Sequence, residues 1–133
     1  MQKKYILLAL VIFGFFMPSV SQSLSKTKLD SLLVVWNNVS QPDTIRLNAI
    51  HKIAKEGFRF KSPDSAFYYA QLQYDFASSI KNEKFQVLAL NVQGDFYLLK
   101  GEPDKAMDIL NSALKLSEEL NDKNFKITTL GNI

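Results

Sequence analysis

The sequence predicts an all-α fold in which antiparallel helical hairpins stack one on the next. Three observations predict it. The chain repeats itself: Lys61-Ser62-Pro63-Asp64-Ser65-Ala66 returns forty residues later as Gly101-Glu102-Pro103-Asp104-Lys105-Ala106. At the same offset Ala49 and Ile50 map onto Ala89 and Leu90, Ala54 onto Gly94, Phe85 onto Phe125 and Leu90 onto Leu130, without a gap. A fixed period of this size marks stacked supersecondary units, each too small to bury its own apolar face. Second, apolar residues recur at helical spacing between short polar turns. Third, the 133 residues hold no strand alternation, no glycine-rich loop and no cysteine, which excludes a disulfide framework and thiolate chemistry.

Residues 1–21 are read as a secretory signal peptide. Met1-Gln2-Lys3-Lys4 is a basic start, Tyr5 to Met17 an apolar run, and Pro18-Ser19-Val20-Ser21 supplies small residues for cleavage between Ser21 and Gln22. The alternative is a membrane anchor, but thirteen apolar residues fall short of the roughly 20 that span a bilayer. No cysteine follows the cleavage point to carry a lipid. Lys3 and Lys4 are two of the 16 basic residues, so their loss leaves 14 against 13 acids and lowers the formal charge from +3 to +1. The basic residues left are scattered singly, which argues against nucleic acid.

Residues 22–44 are expected to hold a capping helix and linker. Leu29, Leu32, Leu33 and Trp36 place the helix over 24–39, and Asp43 or Thr44 caps the next one. The first repeat unit covers 45–83. Its first helix carries Leu47, Ile50, Ile53, Ala54 and Phe58 inward to about Phe60. Ser62 offers an oxygen to the free amides of the next helix, and Pro63 suits its first turn. That helix, 63–80, carries Ala66, Phe67, Ala70, Tyr74, Phe76 and Ala77. The second unit covers 84–123, with helices from Phe85 to Lys100 and from Pro103 to Leu120. Gly101 between them suits a left-handed helix end. Residues 124–133 read as the truncated start of a third unit.

Residues 85–120 resemble a tetratricopeptide repeat, with Leu90, Gly94, Tyr97, Ala106, Leu110 and Ala113 in the places that family fills with large, small and aromatic residues. Gln93 departs from the usual Leu, and Glu118 stands where a Pro is usual. In residues 45–80 Ala54, Ala66 and Ala70 fit, but Gly57 sits where the aromatic belongs, with Phe58 beside it. Pro63 to Ala70, Pro-Asp-Ser-Ala-Phe-Tyr-Tyr-Ala, is also similar to the exported N-terminal repeat arrays of bacterial signalling proteins. The resemblance implies a fragment of a right-handed solenoid whose first helices line a concave groove. In those signalling proteins a transmembrane helix and a histidine kinase, cyclase or DNA-binding output domain often follow.

On the groove-lining helices the stripe beside the core holds Asn48, His51, Lys55 and Arg59 in the first unit, and Leu88, Asn91, Asp95 and Leu98 in the second. Asn48 and Asn91 have the donor and acceptor to pair with a peptide backbone, and Lys55 with Arg59 could clamp a carboxylate. The same stripe also fits a plain solvated helix face. Other chemistry is thin. His51 is the one histidine, so a transition-metal site has no ordinary ligand set. Asp104 and Asp108 lie on the first turns of a helix, where acids favour the positive dipole end. Ser23-x-x-Lys26 and Ser112-x-x-Lys115 lack the companion motifs of a serine–lysine enzyme. Asn38-Val39-Ser40 has the form of a glycosylation sequon, idle in a bacterial product.

The chain is therefore expected to be an exported, periplasmic protein without cofactor or enzymatic activity that binds a protein or peptide, and no nucleic acid. It meets the membrane only through its signal segment or a missing C-terminal region. The alternative is a sensory input module of a membrane signalling protein whose output domain is missing. Gly94→Leu is expected to be far more damaging than Asn91→Leu, which the open stripe should hold within about 0.5 kcal/mol.

The apolar phase of the third unit leads to the first expected outcome. Ile127, Leu130 and Ile133 match the phase of Val87, Leu90 and Gln93 and seek a core, while a helix this short is marginal alone. Adding the next natural hairpin should raise the melting temperature of residues 22–133 by several degrees, since about 1 kcal/mol moves a domain of this size by roughly 4–8 °C. A monomer that melts as high without it would mark the chain as a complete bundle.

Overall fold

The computed structural model describes residues 24–120 together with Thr129 and Gly131. The expected leader, the Ser21–Gln22 cleavage point and Ile127, Leu130 and Ile133 lie outside the described residues. Within them the chain is helical, with no strand. The helices are α1 (Lys26–Asn37), α2 (Asp43–Lys52), α3 (Pro63–Ser79), α4 (Glu83–Leu99) and α5 (Pro103–Glu119). A π-helical segment, Ile53–Phe58, continues α2. Each helix packs on its neighbours in sequence, and α2 also touches α4. None of these helices is long and apolar enough to cross a membrane.

The turns explain the hairpins. Pro63 and Pro103 each open a helix, where a missing N–H costs nothing and the fixed φ is already helical. α3 and α4 end in the same way. Lys81 at φ 56° and Gly101 at φ 73° take the left-handed conformation. The amides of Asn82 and Glu102 then reach back to the carbonyls of Ala77 and Tyr97, at 2.8 and 2.9 Å. Glycine was legible at the second of these ends; at the first a lysine does the same work.

Two expected caps differ. Pro42, not Asp43 or Thr44, sits at the cap of α2, and Asp43 opens the helix itself, where its carboxylate meets the positive dipole end. Ser62 makes no side-chain cap. Its hydroxyl pairs with the Ser65 hydroxyl at 2.8 Å, while its carbonyl takes the Ala66 N–H at 3.0 Å. Two serines one turn apart satisfy each other and leave the backbone amides alone.

The buried positions recur at forty-residue spacing. Leu47 pairs with Val87, Ile50 with Leu90, Ile53 with Gln93 and Ala54 with Gly94; on the second helices Ala66 pairs with Ala106, Ala70 with Leu110, Gln73 with Ala113 and Ala77 with Ser117. Ala49, Ala89 and Thr129 extend one such position to three. The core is rich in alanine, so helices approach closely and few long side chains fill the space between them. Gln93, which stands where the tetratricopeptide pattern has leucine, is buried and donates through Nε2 to Gln71 Oε1 at 2.8 Å.

The π segment resolves the misfit at Gly57. A π turn holds one residue more than an α turn, so Phe58 rather than Gly57 turns into the core. Phe58 packs on Ala54, Ala66, Ala70 and Val92 and stacks on Tyr69 with centroids 5.4 Å apart. Gly57 is left facing α1, where a Cβ would lie 3.5 Å from Leu29 Cδ1 and 3.8 Å from Leu24 Cδ1. α1 has no fully buried residue and is held from outside. Arg46 donates to the Trp36 carbonyl at 3.0 Å and sits over the Trp36 and Phe76 rings.

Among the described glycines the closest approach is at Gly94. A Cβ there would lie 2.6 Å from Leu110 Cδ2 and 2.7 Å from its Cγ, and Leu110 is buried. Gly94→Ala should therefore destabilise by about 1–3 kcal/mol. In a Leu110→Ala background the same change should cost nothing or stabilise, because alanine is the better helix former by up to about 1 kcal/mol. Equal penalties in the two backgrounds, measured by urea denaturation, would disprove the contact.

Candidate functional site

A pocket of about 90 Å³ opens between the α2–π segment and α4. His51, Lys55 and Arg59 line it from one side, and Leu88, Asn91, Val92 and Asp95 from the other. Six residues of the sequence-predicted stripe thus meet in one place. The other two stand apart. Asn48 is exposed and its amide donates to the Thr44 carbonyl of its own helix at 2.8 Å. Leu98 lies a turn beyond Asp95, largely exposed. Val92 was not foreseen, because its phase reads as plain core.

The π segment sets the geometry of the first wall. His51 lies just before it, Lys55 within it and Arg59 just after it. Its wider turn shifts the angle between His51 and Arg59 relative to a regular α-helix. Arg59 does not stand free as an anion clamp. Its Nη2 meets Asp95 Oδ2 at 2.8 Å, closing an ion pair across the pocket. Burial raises the Asp95 pKa above its usual value despite the opposing pull of Arg59 and Lys55.

His51 is tied to the core through Gln73, a fully buried residue of α3. Gln73 Nε2 donates to the Phe85 carbonyl at 2.7 Å. Its Oε1 therefore faces His51 Nδ1, 3.1 Å away. An oxygen of this kind only accepts, so Nδ1 carries the ring proton and Nε2 is the acceptor. Burial lowers the His51 pKa; the Gln73 hydrogen bond opposes this, Lys55 adds to it and Glu56 opposes it more weakly. The imidazole is neutral at neutral pH. Gln73 was missed in the sequence, although a glutamine three residues after Ala70 in an apolar stripe is a visible signal of a buried hydrogen bond.

Asn91 corrects the expectation most. The open stripe placed it in solvent, yet it is 6% exposed. Neither Nδ2 nor Oδ1 has a partner among the described residues, and the same holds for Arg59 Nε. Helical periodicity alone does not reveal this burial. Among the described residues no three His, Asp or Glu side chains are grouped to hold a metal ion.

Compared with known proteins, the chain matches no family model, no curated protein and no solved structure.

The lowered His51 pKa fixes the sign of a pH effect. The unfolded chain binds the proton more readily, so the contribution of neutral His51 is complete above pH 6.5 and is lost as pH falls from there through the lowered folded value. Urea midpoints taken between about pH 7.5 and about 5.5 should fall in the wild type and fall less in His51→Gln. Parallel profiles would show that His51 is not the group responsible.

Proposed function

We propose that this chain is an exported protein built of tetratricopeptide-like repeats, and that it binds an extended segment of a partner protein across the face where α2 and α4 meet. The observation that carries this reading is the pocket itself. Residues at equivalent phases of two units, picked from the sequence as a groove stripe, converge on a concavity with buried polar atoms left unpaired. The forty-residue recurrence of buried positions supports a stack of like hairpins. The basic start and apolar run of residues 1–21 support export. The polar groups are suited to recognition: donors and acceptors beside an apolar wall of Leu88 and Val92, as peptide grooves use.

A random peptide library selected on the purified protein tests the reading. Selected peptides should lose at least about tenfold in affinity, roughly 1.4 kcal/mol, in Leu88→Asp and in Lys55→Glu. Val39→Asp and Met107→Asp, at exposed apolar positions outside the pocket, should leave affinity unchanged. Peptides indifferent to both pocket substitutions would place binding elsewhere and refute the proposal.

A further inference from the structure

Two residues of the pocket wall carry unmet hydrogen bonds, on atoms that lie under its surface and that a ligand meets once the side chains turn outward. Asn91 offers one donor and one acceptor, Nδ2 and Oδ1, both buried and both without a partner among the described residues. Because neither atom is engaged, the conclusion does not depend on which way the amide is turned. Arg59 Nε is a further buried, unpaired N–H. A buried side chain left in this state costs free energy that folding alone does not return.

Two ligand groups could answer these atoms, and they differ in one respect. A carboxylate accepts from Asn91 Nδ2 but sets an oxygen against Oδ1. A carboxamide gives its C=O to Nδ2 and its N–H to Oδ1, so both bonds form at once. The charge at the site points the same way. The Arg59 guanidinium is already met by Asp95 at 2.8 Å, so an anion would have to compete with a carboxylate held in place. Arg59 Nε, buried and unpaired, can donate to an amide oxygen.

Resting on the groove reading above, we propose that this pocket binds a neutral amide, with Asn91 as the bidentate partner and Arg59 Nε as a second donor to the ligand carbonyl. Asp95 acts as a resident counter-anion that turns carboxylates away. Leu88 and Val92 supply the wall against which the methylene stem of the ligand lies. The volume of about 90 Å³ is several times the ~10–15 Å³ that one water needs, enough for a group of side-chain size. The amide can come from a glutamine side chain or from an extended backbone.

Three small probes separate these cases: N-acetyl-glutamine N-methylamide, its glutamate counterpart, and its norvaline counterpart, which keeps only the backbone amides. Each is titrated into the 15N-labelled protein, with the Asn91 side-chain NH2 pair and the Lys55 and Asp95 amides as reporters. The glutamine probe should bind at least about tenfold more tightly than the glutamate probe. In Asn91→Leu this binding should vanish, while the variant melts at or above the wild-type temperature, so loss of fold is not the cause. Asp95→Asn should narrow the gap between glutamine and glutamate. Norvaline binding as tightly as glutamine would assign the amide to the backbone; norvaline failing would assign it to a side chain. Glutamate binding as well as glutamine where norvaline binds more weakly, glutamine binding that survives Asn91→Leu, or no pocket shift with any probe would overturn the inference. Selected peptides that need Leu88 and Lys55 but ignore Asn91→Leu would leave the groove reading standing and remove the amide.

Discussion

The arrangement of α3, α4 and α5 depends on keeping side chains small where the helices cross. Gly94 leaves no room for even a methyl group against Leu110, and Ala66, Ala70, Ala77, Ala89, Ala106 and Ala113 are all buried. Cores of this kind gain their stability from many close backbone approaches, and a single added methylene is felt because nothing nearby can move away. The pocket follows from the same constraint. α2 and α4 lie side by side against α3, whose Ala66, Ala70 and Ala77 pack between the α2–π segment and α4. The facing residues His51 and Asn91 then come close enough to wall a single concavity.

Burial of polar groups divides into two kinds here. Gln73 and Gln93 are buried and answered, one by His51 and the Phe85 carbonyl, the other by Gln71. These amides bind α3 to the helices on either side of it and fix their rotation, since a hydrogen bond is directional where apolar packing is not. Asn91 is buried and unanswered. A group of the second kind gives the fold nothing.

Much of this was legible in the sequence, and the failures have a common cause. Pro63, Pro103 and Gly101 announce themselves because each acts on its own backbone. Gly94 was legible as a small residue because, with Ala106, it falls where the tetratricopeptide pattern has two helices cross closely; that Leu110 is the side chain it meets comes from the structure. The stripe of His51, Lys55, Arg59, Leu88, Asn91 and Asp95 was found by counting in steps of 3.6. What counting cannot find is a local change of step. The π turn at Ile53–Phe58 adds a residue, so Phe58 and not Gly57 takes the place that the repeat pattern gives an aromatic, and Arg59 follows it to meet Asp95. The same blind spot covers Ser62, whose hydroxyl chose Ser65 over a backbone amide, and Lys81, which takes a conformation usually left to glycine.

The two shifted groups of the pocket move in opposite directions for one reason. Burial lowers the pKa of His51 and raises that of Asp95, and in both it outweighs every neighbouring charge. Each shift favours the neutral form, as desolvation always does. Asp95 faces Arg59 at 2.8 Å, so the two charges answer each other across the pocket. Lys55, exposed at the rim, is the cation that remains, and there solvent screens it. The interior is therefore a place where an added charge would meet the same penalty that already moves His51 and Asp95. A group that brings hydrogen bonds without charge avoids that penalty, and the unpaired amide of Asn91 is the one side chain on the wall able to use both its donor and its acceptor.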